Sequence, residues 1–230
     1  MKTIGLIGGM SWESTAEYYR LINQLVRQTL GGQHSARILL YSVDFHEIEQ
    51  WQQAGQWDAA ADEMVRCAQR LERGGADLLV LCTNTMHKLA PAIEQSVRLP
   101  FLHIADATAT QIRDAGVRKV GLLGTRYTIE QDFYRGRLRD QGLTVVVPDE
   151  ADRALVNQVI YDELCQGVIR SASRAEYRRI MHGLVEQGVE GIILGCTEIT
   201  LLVKPEDAAV PLFDTTQIHA QRAVAAALQP

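Results

Sequence analysis

The chain has 230 residues, 47% hydrophobic and 22% charged, with a formal net charge of -5. It is long enough for one large or two small domains and lacks the bias of a disordered chain. The acidic balance and the lack of a dense Lys/Arg patch argue against nucleic acid or an anionic membrane surface as partner, and no apolar run approaches the roughly 20 residues of a membrane helix.

The opening Met1-Lys2-Thr3-Ile4-Gly5-Leu6-Ile7-Gly8-Gly9 is a short apolar strand ending in glycines, without the longer apolar core and cleavage site of a signal peptide, so a cytoplasmic location is expected. From there, short β-branched runs alternate with amphipathic helical stretches. The spacing predicts strands at Thr3–Ile7, Arg37–Ser42, Leu78–Leu81, Phe101–Ile104, Lys119–Leu123, Leu143–Val146 and Gly191–Leu194. Helices are expected near Ser14–Leu30, Trp57–Gly74, Met86–Ser96, Asp106–Ala115, Ile129–Gln141, Ser173–Gln187 and Thr216–Leu228. This is the pattern of βα units feeding parallel sheets, an α/β chain.

The chain also repeats itself. Gly5-Leu6-Ile7-Gly8-Gly9 matches Gly121-Leu122-Leu123-Gly124-Thr125, and Ala76–Thr85 matches Val189–Glu198. A third pair, Leu99-Pro100-Phe101-Leu102 and Val210-Pro211-Leu212-Phe213, follows in the same order at similar spacing. Three ordered landmarks at so long a period imply a duplicated α/β domain rather than a solenoid. Two similar parallel-sheet domains related by a pseudo-twofold axis would bring the strand-end loops of both halves to one cleft, where open α/β sheets bind ligands. Thr83 and Cys196 occupy equivalent points in these loops.

The cysteines Cys67, Cys82, Cys165 and Cys196 show no CxxC pair and no His at ligand spacing, so neither a disulfide framework nor a metal site is expected. Cys82 is adjacent to Thr83 on a strand and should point to the opposite face, into the core. Cys67 and Cys165 fall on helical stretches and read as core. His87, two residues after Thr85, reads as packing or capping before a second acid. Lys88 follows it on the same stretch. Trp51 and Trp57 read as loop packing, because no basic residues interleave them.

The segments Gly5-Leu6-Ile7-Gly8-Gly9-Met10-Ser11, Thr83-Asn84-Thr85-Met86-His87 and Gly195-Cys196-Thr197-Glu198 resemble the aspartate/glutamate racemase family, over the whole chain. The resemblance implies two four-stranded α/β domains, residues 1–103 with 213–230 and residues 104–212, the C-terminal helix returning to the first. It also implies inversion of an amino acid at its α-carbon with no pyridoxal, metal or nucleotide cofactor, by a cysteine from each domain. Here Thr83 stands where the first cysteine belongs, and Cys196 fits the second position. The resemblance further implies that residues 44–55 form a loop receiving the substrate side chain. That segment has no Arg or Lys, so Gln52, with Gln53 next, is the expected polar contact, and neutral polar amino acids join aspartate and glutamate as substrates to expect.

Racemisation requires a base on one face of the α-carbon and an acid on the other. A thiol, ordinarily of pKa about 8.5, becomes a usable base if a helix N-terminus or backbone donors lower it. Cys196 is therefore expected as base and acid, and Thr83 as a proton donor and poor base. Met10, Ser11, Asn84, Thr85 and Thr197 follow strand ends and can supply donors to the substrate carboxylate, where charge develops. Glu198 can orient the substrate amine or tune Cys196, or simply complement a helix N-terminus. The competing expectations are a single-cysteine isomerase or decarboxylase of the same superfold and a non-catalytic amino-acid-binding protein. A homodimer would be ordinary for such an enzyme.

Overall fold

A computed structural model describes residues 1–229. Among them the chain forms eight strands and eleven α-helices. It divides into two compact units, Met1–His103 with the segment from His219 on, and Ile104–Ile218.

The first unit runs β1 (Ile4–Gly8), α1 (Trp12–Leu30), β2 (Ile38–Ser42), α2 (Phe45–Gln53), α3 (Trp57–Arg73), β3 (Leu78–Leu81), a 3-10 turn at Thr85–Leu89, α4 (Ala90–Ser96) and β4 (Phe101–Leu102). Its sheet is parallel in the order β2-β1-β3-β4. Strand alternation divides the core into two layers. Leu78, Val80 and Cys82 join Ile4 and Leu6 on the face covered by Tyr18, Ile22 and Val26 of α1. Leu79 and Leu81 join Ile7 on the other face, against Met64, Cys67, Ala68 and Leu71 of α3.

The second unit runs α5 (Ile104–Asp114), β5 (Lys119–Gly124), α6 (Arg126–Glu130), α7 (Asp132–Asp140), β6 (Thr144–Val146), α8 (Glu150–Asp162), a 3-10 turn at Leu164–Gln166, α9 (Ser171–Glu186), β7 (Gly191–Gly195), α10 (Ile199–Leu202) and β8 (Leu212–Asp214). Its parallel sheet has the order β6-β5-β7-β8, the same arrangement as the first. The last helix, α11 (Thr215–Leu228), starts in this unit. From His219 on it belongs to the first, where Ala220, Ala223, Val224 and Ala227 close the layer over Ile4 and Val80. Their small side chains let the helix lie close to the sheet. β8 pairs with β7, which keeps residues 212–214 in the second sheet.

Several elements differ from the sequence expectation. Residues 44–55 hold a helix, α2, rather than a loop: Asp44 caps it, its carboxylate accepting the His46 N–H at 3.0 Å. Replacing Asp44 by Ala should cost about 1 kcal/mol of stability, typical of a lost N-cap, as a lowered urea midpoint; an unchanged midpoint would show that the cap contributes nothing. The expected helix at residues 129–141 is two, because Gln131 is extended (φ -88°, ψ 150°) between α6 and α7. Ile104 starts α5 instead of ending β4. The stretch Met86–Ser96 begins as a 3-10 turn. No element was expected at α8 or β8, although Asp149 caps α8 by accepting the Asp152 N–H at 2.9 Å.

Candidate active site

In the first unit the turn after β1 depends on its glycines. A Cβ on Gly8 would lie 2.4 Å from Thr15 Cγ2, and Gly9 has φ of +95° with its Cβ direction 2.3 Å from the Val43 carbonyl oxygen. Only glycine fits both positions. Thr15 Oγ1 ties the turn, accepting the Gly9 N–H and donating to the Ser11 carbonyl, each at 2.8 Å. Ser11 caps α1, its hydroxyl oxygen accepting the Ser14 N–H at 3.2 Å. The Met10 side chain packs in the core with Ile48 and Met86, so its main chain is the part that can meet a ligand.

The second element of this unit is the segment after β3. The Cys82 N–H donates to Ile7 and the Ser14 hydroxyl donates to the Cys82 carbonyl at 3.4 Å, which joins the two strand-end loops. Cys82 itself is fully buried beside Tyr18 and Ala220, and that burial pushes its thiol well up. Thr83 is half-buried, while Asn84 and Thr85 are buried. The Thr83 carbonyl accepts a hydrogen bond from Nδ1 of His87 at 2.7 Å, which assigns the ring proton to that nitrogen. Gln52 on α2 is buried too, its Nε2 donating to Met86 Sδ at 3.0 Å, whereas Gln53 lies on the outer side and donates to Glu49. The Lys88 ammonium sits over the Trp57 ring, 3.8 Å from its centre, and Trp51 on α2 and Trp57 on α3 pack, partly buried, against the core. Cys67 is in the core, its thiol pushed up to about 12 by burial and then by Glu63.

In the second unit β7 delivers Gly195 and Cys196 at its carboxyl end. A Cβ on Gly195 would meet the Leu123 carbonyl oxygen at 2.8 Å. The Cys196 thiol is half-buried and donates to Glu198 Oε2 at 2.9 Å. Burial, and then the Glu198 carboxylate, push the thiol well above its ordinary value. This is opposite to the expected lowering by a helix N-terminus. The helix that follows, α10, is a single turn of four residues, too short to outweigh a carboxylate in contact with the sulfur. Thr197 Oγ1 lies 2.9 Å from Thr216 Oγ1, and the Thr215 hydroxyl donates to the Leu194 carbonyl at 2.9 Å, so the start of α11 braces the end of β7.

Sequence reasoning missed a buried cluster around His219, in which the Tyr18 hydroxyl lies 2.9 Å from Nδ1 and Nε2 lies 2.7 Å from the Leu102 carbonyl oxygen. The rings of His103 and His219 lie 4.6 and 5.7 Å from that of His87. These residues come from distant points of the chain, so no local motif announces them. Among the described residues no group of three or more His, Cys, Asp or Glu side chains is placed to hold a metal ion, and no described helix is long and apolar enough to cross a membrane.

The family model for Asp/Glu/Hydantoin racemase matches residues 7–223. A candidate Asp/Glu racemase from Yersinia pestis, solved by crystallography, is 60% identical, with full coverage of both chains and a TM-score of 0.95. The crystal structure of PH1733, an aspartate racemase homologue from Pyrococcus horikoshii OT3, is 35% identical with full coverage of both and a TM-score of 0.88. The broad specificity amino-acid racemase RacX of Bacillus subtilis (strain 168) is 24% identical, covering 96% of each chain. The protein therefore belongs to the Asp/Glu/hydantoin racemase family of isomerases.

Proposed function

We propose that the protein interconverts the enantiomers of a small amino acid, acidic or neutral polar, without an organic cofactor or metal. Cys196 exchanges a proton with one face of the α-carbon and Thr83 delivers one to the other. The observation that carries this reading is the pair of equivalent strand ends, Thr83 after β3 and Cys196 after β7, in two units of the same topology. Asn84, Thr85 and Thr197, with the Met10–Ser11 main chain, are the donors assigned to the substrate carboxylate, and Gln52 is the contact assigned to its side chain. The breadth in the name of RacX and the aspartate in that of the Pyrococcus relative support testing both substrate classes.

A threonine hydroxyl is a weak base, so the two directions differ. Because enantiomers have equal free energy, kcat/KM is equal in both directions, and the asymmetry must appear elsewhere. The enantiomer whose α-proton meets Cys196 should take up solvent deuterium faster than it inverts, since, once the thiol has exchanged with solvent, a deuteron returns more readily from sulfur than one arrives from Thr83. Its mirror image should exchange slowly. A panel of aspartate, glutamate, asparagine, glutamine and serine in D2O, scored for deuterium uptake and change of hand, tests this. Thr83→Cys should bring inversion up toward the exchange rate, by roughly tenfold or more if a matched acid–base group replaces a poor one. Deuterium uptake without change of hand in every case would instead point to chemistry from one face only.

A further inference from the structure

The Cys196–Glu198 contact answers a question that the racemase reading leaves open. A thiol can accept an α-proton only if it is already a thiolate, or if another group takes its own proton as the new one arrives. The first condition is disfavoured, because burial and a neighbouring carboxylate both raise the thiol. The second is met by geometry. After β7 the chain turns at once, with the Ile199 N–H donating to the Cys196 carbonyl at 3.2 Å, and this brings residues 196 and 198 to the same side. Glu198 is buried and its Oε2 accepts the thiol proton across 2.9 Å. Although it stands at the N-terminus of α10, its side chain makes no capping hydrogen bond there.

Two other titratable groups face the sulfur from packed elements, Cys165 on the 3-10 turn and Tyr177 on α9. Tyr177 donates to the Val156 carbonyl at 3.1 Å, and burial holds its proton on. The further carboxylate near Tyr177, Glu163, accepts the Ser173 hydroxyl at 2.6 Å and lies 3.8 Å from Arg170. Glu198 is thus the acceptor aimed at the thiol.

We propose that Glu198 is a positioning residue that works through Cys196 as its proton acceptor and donor, making the thiol–carboxylate pair, rather than a free thiolate, the base. As sulfur takes the α-proton, the substrate Cα–H and the old S–H bonds break while a new S–H and an O–H bond form on Cys196 and Glu198. The carboxylate becomes a carboxylic acid, and its negative charge passes to the substrate carbanion. Running backward, Glu198 reloads sulfur as sulfur protonates the carbanion. The substrate half of this relay rests on the racemase reading, whereas the coupling of thiol to carboxylate does not.

Glu198→Gln tests both halves, since it keeps the shape and a hydrogen-bond acceptor but cannot take the proton. With whichever amino acid of the panel turns over, kcat should fall by about 10²-fold, in the range of a lost acid–base group, while KM changes little. Over the same pH range, iodoacetamide should alkylate Cys196 faster in the variant, followed by peptide mass spectrometry, because a negative neighbour has gone. Glu198→Asp should restore part of kcat. Falling turnover with an alkylation profile shifted to lower pH is a combination that loss of packing, which would raise the alkylation rate alike at every pH, would not produce. Turnover within about twofold of wild type, or an unchanged alkylation profile, overturns the proposal. A wild type that exchanges no amino acid sinks the racemase reading and the relay, and the alkylation profile then still decides whether Glu198 governs the thiol.

Discussion

Cys196→Ala should lose racemisation and α-deuterium uptake together, with kcat down at least about 10³-fold, or about 4 kcal/mol of transition-state stabilisation. The reason lies in the inequality of the two proposed groups. A threonine hydroxyl can donate a proton if it is reloaded but cannot hold an alkoxide near neutral pH, so no second base remains when the thiol is gone. Loss of exchange is the sharper readout, because exchange in the favoured enantiomer needs only the Cys196 face. The variant should fold normally. The thiol is half-buried at a loop start and alanine leaves the strand β7 intact, so an unchanged urea midpoint is expected beside the lost activity. Full racemisation by Cys196→Ala would remove this residue from the mechanism altogether. Cys196→Ser should be nearly as slow as the alanine variant, since a hydroxyl on each side supplies donors but no base.

The parts of the fold that were legible in the sequence are those where one strand decides its own pattern. β1, β3, β5 and β7 are central or near-central in parallel sheets, covered on both faces, and they read as continuous apolar runs. Duplication showed in the same strands through the glycines the two halves share, Gly5 with Gly121 and Gly8 with Gly124, where a Cβ would lie 2.9, 3.0, 2.4 and 3.1 Å from its nearest neighbour. β8 was missed for the opposite reason. It is three residues long, at a sheet edge, and exists because β7 offers it a partner. At residues 44–55 the resemblance implies a loop, and nothing in the apolar period speaks against it, because the buried side of α2 is carried by only Ile48 and Gln52. The break at Gln131 carries neither Gly nor Pro to mark it.

Within the candidate site, residue types were readable but their local electrostatics were not. Motif and repeat place Thr83 and Cys196 at strand ends. That the thiol sits against a carboxylate depends on a turn geometry fixed by α10 and by the Thr197–Thr216 and Thr215–Leu194 hydrogen bonds, the latter two made with residues about 20 positions away. His87 was read as packing, and it does more locally. By donating to the Thr83 carbonyl it fixes the main chain next to the residue proposed to donate a proton. Its neighbours His103 and His219 give that ring a polar, buried wall that sequence spacing could not reveal.

His219 should make the first unit acid-labile by about 3 kcal/mol. Its ring is fully buried, and burial holds its pKa to about 4, although the Leu102 carbonyl acts in the other direction. In the unfolded chain the imidazole titrates near 6.5. Between these values the unfolded state binds a proton that the native state refuses, so stability is complete above about pH 6.5 and falls as pH drops toward 4. The hydrogen bonds define the neutral form. Nε2–H donates to Leu102, and Nδ1 accepts from the Tyr18 hydroxyl, a bond that protonation of Nδ1 would break. Exposed carboxylates also respond in this range, so the measurement is a difference: urea midpoints at pH 7 and pH 4.5 for wild type and His219→Gln. Gln can still donate to Leu102 and accept from Tyr18 without gaining a charge, and its stability should fall much less between the two pH values. Equal losses in the two proteins would assign the acid sensitivity to the carboxylates. A smaller loss in the variant would locate it where α11, α1 and β4 meet, at the His219 hydrogen bonds to Tyr18 and Leu102 and beside the His87 ring that holds the Thr83 carbonyl.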